Sequence, residues 1–297
     1  MPDDHSLMTF EETWQEATIS SSDAATTINT LVCILHSPAN QELISDQLRS
    51  LHPQVKLLFV AATGKQHSAT NLLPIYWLED KEEAAYKDVF RRIKQEHGTP
   101  DAIVYLNALE QSRHNQDYFP LFAITRAIYT GQMAVKQFIV SGSWASTVDG
   151  VSADSAYLQS WTGLERTAKT VLPHTRVSCV FHETGTEPFS IGQCLNRLWQ
   201  ELQATHNETV LYRNNKRYTR QVRECTLSTG DTILKQGGTY LITGGCGGLG
   251  LIIATHLAKT YKAQLALTGR SPLDAVKRAP YKPCVNWAAR SCIYRPM

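Results

Sequence analysis

TYLITGGCGGLGLIIATHLAKTYKAQLALTGRSP, Thr239–Pro272, runs as a strand, a glycine-rich turn, a helix and a second strand. Tyr240, Leu241 and Ile242 make a short apolar run of the kind that forms a buried parallel strand. Thr243 to Gly250 then places five glycines in eight positions. Glycine lets the chain turn sharply off a strand, lets a pyrophosphate approach the main chain, and lets the following helix pack close to the sheet. Leu251, Ile252, Ala254, Leu257 and Ala258 recur at helical spacing, so unpaired N–H groups and the positive end of the helix dipole face whatever sits over the turn. A phosphate is the expected guest.

The spacing Thr243-Gly244-x-x-x-Gly248-x-Gly250 differs from the G-x-G-x-x-G of the ordinary dinucleotide fingerprint. It resembles the short-chain dehydrogenase/reductase pattern, and the string TGGCGGLG resembles the ketoreductase domains of modular polyketide synthases. After the second strand, Ala263 to Leu267, an NAD site places an acid on the ribose hydroxyls, whereas this chain has Thr268, Gly269, Arg270 and Ser271. An arginine there suits a 2′-phosphate, so NADPH is the expected cofactor. The expected contacts are Thr243, Gly244, Gly245, Gly247, Gly248, Leu249 and Gly250 at the turn, with Arg270 and Ser271 beyond the second strand. A ligand-free glycine turn is the plainer alternative, and the order of strand, helix and second strand weighs against it.

The chain has 297 residues, 42% hydrophobic and 19% charged, which suits one large or two ordinary soluble domains. The opening MPDDHSLMTF is acidic and has no charged-then-apolar signal pattern, and no run of eighteen apolar residues occurs. Seven scattered cysteines, odd in number and without a C-x-x-C pair, fit a reduced compartment. A cytoplasmic protein away from membranes is therefore expected. A net charge of +2 is too close to neutral for a nucleic-acid partner. Five basic residues follow Asp274, so the body itself carries −3. The ten histidines form no H-x-x-x-H or H-E-x-x-H pair, and no metal site is expected.

Before the fingerprint, short apolar runs alternate with helical stretches. Strands are expected at Leu31–His36, Val55–Ala62, Asp101–Leu109, from Lys136 and from Thr175. Helices are expected at Asn40–Leu51, at EEAAYKDVFRRIKQEHG with Gly98 as its stop, and around Phe119–Tyr129, Asp154–Val171 and Ser190–Ala204. The pattern predicts an α/β fold, a doubly wound Rossmann-like parallel sheet over about Leu31 to Thr205. Ser37, Pro38, Ala39 and Asn40 stand where a cofactor turn needs glycines, so this first sheet is expected to hold no pyrophosphate.

The resemblance now extends over nearly the whole chain. Ketoreductase regions of modular synthases carry a structural Rossmann-like half without cofactor, followed by a catalytic half that binds NADPH. EETWQEA (Glu11 to Ala17) resembles the strand that opens the structural half, and TVLYRNNKRYTRQV (Thr209 to Val222) the hairpin that closes it. The implied organisation is an opening linker and strand over 1–29, a structural subdomain over 30–230, a truncated NADP-binding catalytic subdomain over 237–272 and an irregular tail over 273–297. The implied activity is NADPH-dependent reduction of a β-ketoacyl thioester on an acyl carrier protein, alongside other synthase domains.

Three motifs invite a different chemistry. ATGK (Ala62 to Lys65) lacks the glycine and hydroxyl that a Walker loop needs at Phe59 and Gln66. Tyr212 and Lys216 have reductase spacing, but Asn214-Asn215 between strand-forming stretches reads as a hairpin turn, where the two side chains would not meet. In SGSWAS (Ser141 to Ser146) followed by Tyr157, Trp161 stands where the supporting lysine should be, so Tyr157 is expected to be packing or surface.

The family's catalytic lysine, serine and tyrosine therefore have no place on this chain. DAVKRAPYKPCVNWAARSCIYRPM, with three prolines, no acid after Asp274 and no period, is expected to be non-native sequence from a frameshift or premature stop; a basic surface tail is the alternative. Two functions remain open: a fragment of a β-ketoacyl reductase that is inactive alone, or a non-catalytic scaffold that docks with a separately encoded catalytic half.

Overall fold

The computed structural model describes residues 8–19, 26–62, 74–80, 82–110, 118–145, 153–184, 191–204, 208–226 and 232–269. The chain divides into two compact units, Met1–Cys225 and Thr226–Met297.

The first unit is built on a nine-stranded sheet. Its strands are β1 (Thr9–Glu16), β2 (Thr30–Ile34), β3 (Lys56–Ala62), β4 (Ile75–Leu78), β5 (Ala102–Tyr105), β6 (Gln137–Ala145), β7 (Arg176–Thr184), β8 (Val210–Arg213) and β9 (Lys216–Cys225). They lie in the order β1-β9-β8-β7-β6-β5-β2-β3-β4, parallel from β4 to β8, with β9 and β1 added antiparallel. The chain moves outward from β2 through β3 to β4, then returns to place β5 on the other side of β2. This reversal of order is the switch point of a Rossmann-like sheet.

Burial alternates along the central strands. Leu31, Cys33 and Leu35 join one apolar cluster with Ile44 and Leu48 of α1 (Pro38–Leu51) and with Cys194, Leu195 and Leu198 of α6 (Ile191–Gln203). Val32 and Ile34 face the opposite way. They meet Phe90 and Ile93 of α2 (Glu83–His97), Ile124 and Ile128 of α4 (Phe119–Thr130), and Trp161 of α5 (Ala153–Val171). Both faces of the sheet are covered, as the apolar runs require.

Local signals set several boundaries. Ser37 caps α1 by accepting the Asn40 N–H, and Pro38 begins the helix, where its missing N–H costs nothing. Gly98 ends α2 at φ 78°. Asn214 and Asn215, at φ 48° and 61°, make the tight turn between β8 and β9. Two expectations change. The strand expected over Asp101–Leu109 ends at Tyr105, and Asn107–Glu110 forms a helical turn, α3, with Leu109 donating its N–H to Leu106. β4 was not foreseen, because only four residues pair on one side of β3, too few to show a period.

A buried ion pair fastens the hairpin to the helical layer. Arg217 on β9 donates from Nε to Glu201 Oε1 at 2.7 Å and from a terminal nitrogen to Oε2 at 3.1 Å, and Tyr212 donates to Glu201 Oε1 at 2.6 Å. Burial beside Glu201 raises the Tyr212 phenol, so it remains a donor at neutral pH. Arg197 lies over the Tyr212 ring, and the His182 ring stacks with that of Tyr212 at a centroid distance of 5.8 Å. His182 is wholly buried, near the Ser141 hydroxyl at 3.1 Å. Desolvation, with the Arg197 charge second, pushes its pKa down to about 3.

The second unit contains β10 (Thr239–Ile242), α7 (Gly248–Tyr261) and β11 (Gln264–Leu267), a parallel pair joined by a helix. Ala254, Leu257 and Ala258 bury one side of α7, while Leu249, Ile252 and Ile253 are exposed, as is Leu241 on β10.

Three outcomes follow from this packing. Glu201→Ala leaves the buried Arg217 charge without its carboxylate and should cost about 3–5 kcal/mol in denaturant unfolding. Because His182 binds a proton more readily unfolded, with a pKa near 6.5, than folded, its share of stability is complete above that pH and is lost as pH falls toward about 3. His182→Gln should therefore flatten the dependence of unfolding free energy on pH in this window, by up to about 1.4 kcal/mol per pH unit; an unchanged slope would contradict the assignment. Amide exchange should be faster in β10, α7 and β11 than in β2, β3, β5, β6 and β7, since the second unit leaves large apolar side chains wet.

Candidate functional site

The glycine turn of the second unit is formed by three main-chain bonds. Gly245 donates to the Ile242 carbonyl at 3.2 Å, Gly247 to Gly244 at 2.9 Å, and Leu251 to Gly247 at 2.9 Å. Gly244 sits at φ 72°, a left-handed conformation that costs a side-chain-bearing residue, so the chain can reverse directly off β10. Gly247 then precedes the helix in an extended conformation with no side-chain cap. The first-turn N–H groups, those of Gly248, Leu249 and Gly250, are left over by the helix's own ladder.

The glycines have different reasons to be there. A Cβ on Gly250 would lie 2.5 Å from Gly245 Cα and 2.6 Å from the Gly244 carbonyl, so turn and helix touch main chain to main chain. A Cβ on Gly245 would press on Leu267 of β11 at 2.8 Å. Gly248 is different, with nothing within 4 Å of its would-be Cβ. Packing explains Gly245 and Gly250, but it does not explain Gly248. Open space beside unpaired N–H groups at a helix start is what a phosphate cradle needs. This is the observation on which the fit of a dinucleotide rests.

Of the expected contacts, Thr243, Gly244, Gly245, Gly247, Gly248, Leu249 and Gly250 are brought together in this turn, with Thr243 and Leu249 exposed and Gly245 buried. β10 and β11 pair with Ile242 opposite Leu267, and Thr268 donates to the Ile242 carbonyl at 3.1 Å. A Cβ on Gly269 would meet Cys246 at 3.0 Å, so the chain leaving β11 passes beside the turn. Arg270 and Ser271 come next in sequence and lie outside the described residues.

The other motifs settle into structural roles where they are described. Tyr212 and Lys216 stand on opposite strands of the hairpin; Tyr212 bonds Glu201, and Lys216 pairs with Glu16 at 2.7 Å. Ser141 is fully buried and donates to the Val180 carbonyl at 3.1 Å. Trp161 is buried against Tyr105 and Phe181. The Tyr157 side chain and the glycine and lysine of ATGK lie outside the described residues. Among the described residues no group of three His, Cys, Asp or Glu could hold a metal ion, and no helix is long and apolar enough to cross a membrane.

In the first unit, the equivalent turn after β2 contains a group that sequence reasoning missed. The Glu110 carboxylate accepts N–H bonds from His36 and Ser37 at the start of α1. The contact joins residues more than seventy positions apart, and no local motif announces it.

Comparison with known proteins gives a consistent picture. Residues 238–288 match a family described as the KR domain, a match that continues past Pro272. Polyketide synthase PksM of Bacillus subtilis (strain 168) is 36% identical over 278 residues, covering 93% of this chain and 6% of that protein. Polyketide synthase PksL of the same organism is 35% identical over 128 residues, 42% of this chain and 3% of that protein. The chain thus spans less than a tenth of these relatives' length. The fold is shared with an N-terminal ketoreductase from the macrolactin assembly line, at a TM-score of 0.70 and 18% identity, covering 97% of this chain and 59% of that one. Structures of A-type ketoreductases from modular polyketide synthases superpose at a TM-score of 0.60 and 16% identity, over 93% of this chain and 56% of theirs. With a glycine turn shaped as described, a Rossmann-like sheet ahead of it, and relatives of this kind over both, the chain belongs to the ketoreductase domains of modular polyketide synthases, in the short-chain dehydrogenase/reductase superfamily.

Proposed function

We propose that this chain supplies the structural half and the opening, NADPH-binding βαβ unit of a β-ketoacyl reductase that acts on a thioester carried by an acyl carrier protein within a cytoplasmic polyketide synthase. The observation that carries the reading is the open face of Gly248 beside unpaired N–H groups at the start of α7. NADPH, when bound, supplies the hydride. The chain's own part would be to hold its diphosphate: the N–H groups of Gly248, Leu249 and Gly250 would donate to it, the dipole of α7 would favour its charge, and the left-handed Gly244 would keep the turn clear of it. Arg270, with Ser271, is assigned to the 2′-phosphate on its sequence position, where a planar guanidinium suits a phosphate.

Proton delivery to the carbonyl oxygen needs a tyrosine whose pKa is lowered by a nearby cation. Among the described residues Tyr212 has the opposite environment, since burial and Glu201 raise it. The 297-residue chain alone is therefore proposed to bind the cofactor weakly and to leave the ketone unreduced. Exposed Leu241, Leu249, Ile252 and Ile253 favour a second reading, in which this chain is a scaffold completed by a separately encoded catalytic half.

Titration calorimetry tests the cofactor reading. NADPH should bind with Kd weaker than about 100 μM, about −5.5 kcal/mol. Gly248→Val should abolish binding with little change in melting, because its side chain enters space no protein atom fills; Gly250→Val should instead destabilise the second unit by pressing on the Gly244 and Gly245 main chain. Arg270→Ala should weaken NADPH and leave NADH unaffected. A β-ketoacyl thioester assay should show no turnover by the chain alone; turnover would refute the proposed inactivity, and turnover gained only on adding a catalytic-half protein would favour the scaffold reading.

A further inference from the structure

In a doubly wound sheet, the ligand crevice lies where strand order reverses, at the carboxyl ends of the strands. In the first unit that place is between β2 and β5, where α1 begins and α3 follows β5. A helix start there presents N–H groups and a positive dipole end and calls for an anion.

An anion is already present, and it belongs to the chain. Glu110 Oε2 accepts the His36 N–H at 2.7 Å, and its two oxygens accept the Ser37 N–H at 3.1 and 3.2 Å. Asn40 Nδ2 donates to Oε1 at 2.8 Å. One carboxylate thus gathers two main-chain donors and a side-chain amide at the helix start. The surroundings hold it in place. Ala62, at the end of β3, donates its N–H to His36 Nδ1 at 3.0 Å, and His36 Nε2 lies 2.9 Å from the buried Asn107 amide, on α3 with Glu110. Gln41, also buried, donates to the Leu35 carbonyl at 3.1 Å. The ends of β2, β3 and β5 are tied into one network that ends on the Glu110 carboxylate.

We propose that Glu110 is a resident anion: it occupies the position that a nucleotide phosphate takes in a ligand-binding sheet of this order, keeping the first unit's crevice closed while stabilising it. The inference concerns the first unit alone and does not depend on the cofactor reading of the second. Its content goes beyond missing glycines. The helix start keeps a latent affinity for phosphate, and removal of one carboxylate uncovers it.

Hydrogen exchange resolved by peptide tests this on the full chain, carrying Gly248→Val so that the second unit's turn does not respond. Inorganic pyrophosphate is the probe. With Glu110 in place, exchange over His36 to Gln41 should be slow and indifferent to millimolar pyrophosphate. In Glu110→Ala it should quicken by about tenfold, the loss expected for charge-assisted bonds, and slow again on adding pyrophosphate, while exchange in β6 and β7 stays unchanged. Glu110→Gln keeps a carbonyl acceptor and the side-chain size but drops the charge. It should show the same two effects more weakly, and it carries the test if Glu110→Ala does not fold. Unchanged exchange in both variants, or quickened exchange that pyrophosphate does not reverse, would overturn the proposal. Failure of NADPH to bind the unmodified second unit would leave it untouched.

Discussion

The central strands of the first unit have no wet side. Val32, Ile34, Leu58, Phe59, Val60, Ile103, Ile139 and Val180 are all buried, divided between the two faces of the sheet. A strand buried on both faces leaves its polar main chain only neighbouring strands as partners, and its side chains only helices as cover. Parallel pairing follows, because each helix must cross a face before the next strand can be laid down. The division of helices between the faces, α2, α4 and α5 against α1 and α6, is the consequence.

The same constraint makes the ends of this sheet a problem, because an open sheet leaves unpaired main-chain groups along each outer strand. Here the antiparallel β8-β9-β1 ribbon takes over on one side, and its outermost strand is markedly polar. Glu12 pairs with Arg220 at 3.0 Å and with Arg166, Glu11 with Arg223 at 2.7 Å, and Glu16 with Lys216 at 2.7 Å. Such exposed pairs add little stability individually. They put charge along an edge that would otherwise invite another strand. The deep anchor of the ribbon is instead the Glu201–Arg217–Tyr212 group, in which every member is buried and has a partner.

The two units handle the same electrostatic demand in opposite ways. Each places a helix start directly after a parallel strand. In the second, glycine holds the main chain bare and Gly248 keeps space open in front of the N–H groups. In the first, serine and proline build a capped start, and a carboxylate from the neighbouring strand's connection fills the space. One geometry leaves room for an external anion and the other supplies an internal one, with the difference set by a few side chains on a shared plan.

Sequence alone determined the parts of this protein that are local. Alternating apolar runs and helical stretches located the main strands and helices, Gly98 and Asn214-Asn215 marked a helix end and a turn, and the glycine string marked the turn between β10 and α7, because each depends on the conformational preferences of adjacent residues. Tertiary structure decided whatever depends on distant partners. β4 exists because β3 offers an edge, Asp101–Leu109 breaks after Tyr105 because Asn107 and Glu110 are drawn to His36 and α1, and Glu201 meets Arg217 because α6 packs beside the hairpin. It also separated glycines required by packing, Gly245 and Gly250, from Gly248, which packing does not require. A string of letters cannot make that distinction, since the difference lies in what stands within 4 Å of an atom glycine does not have.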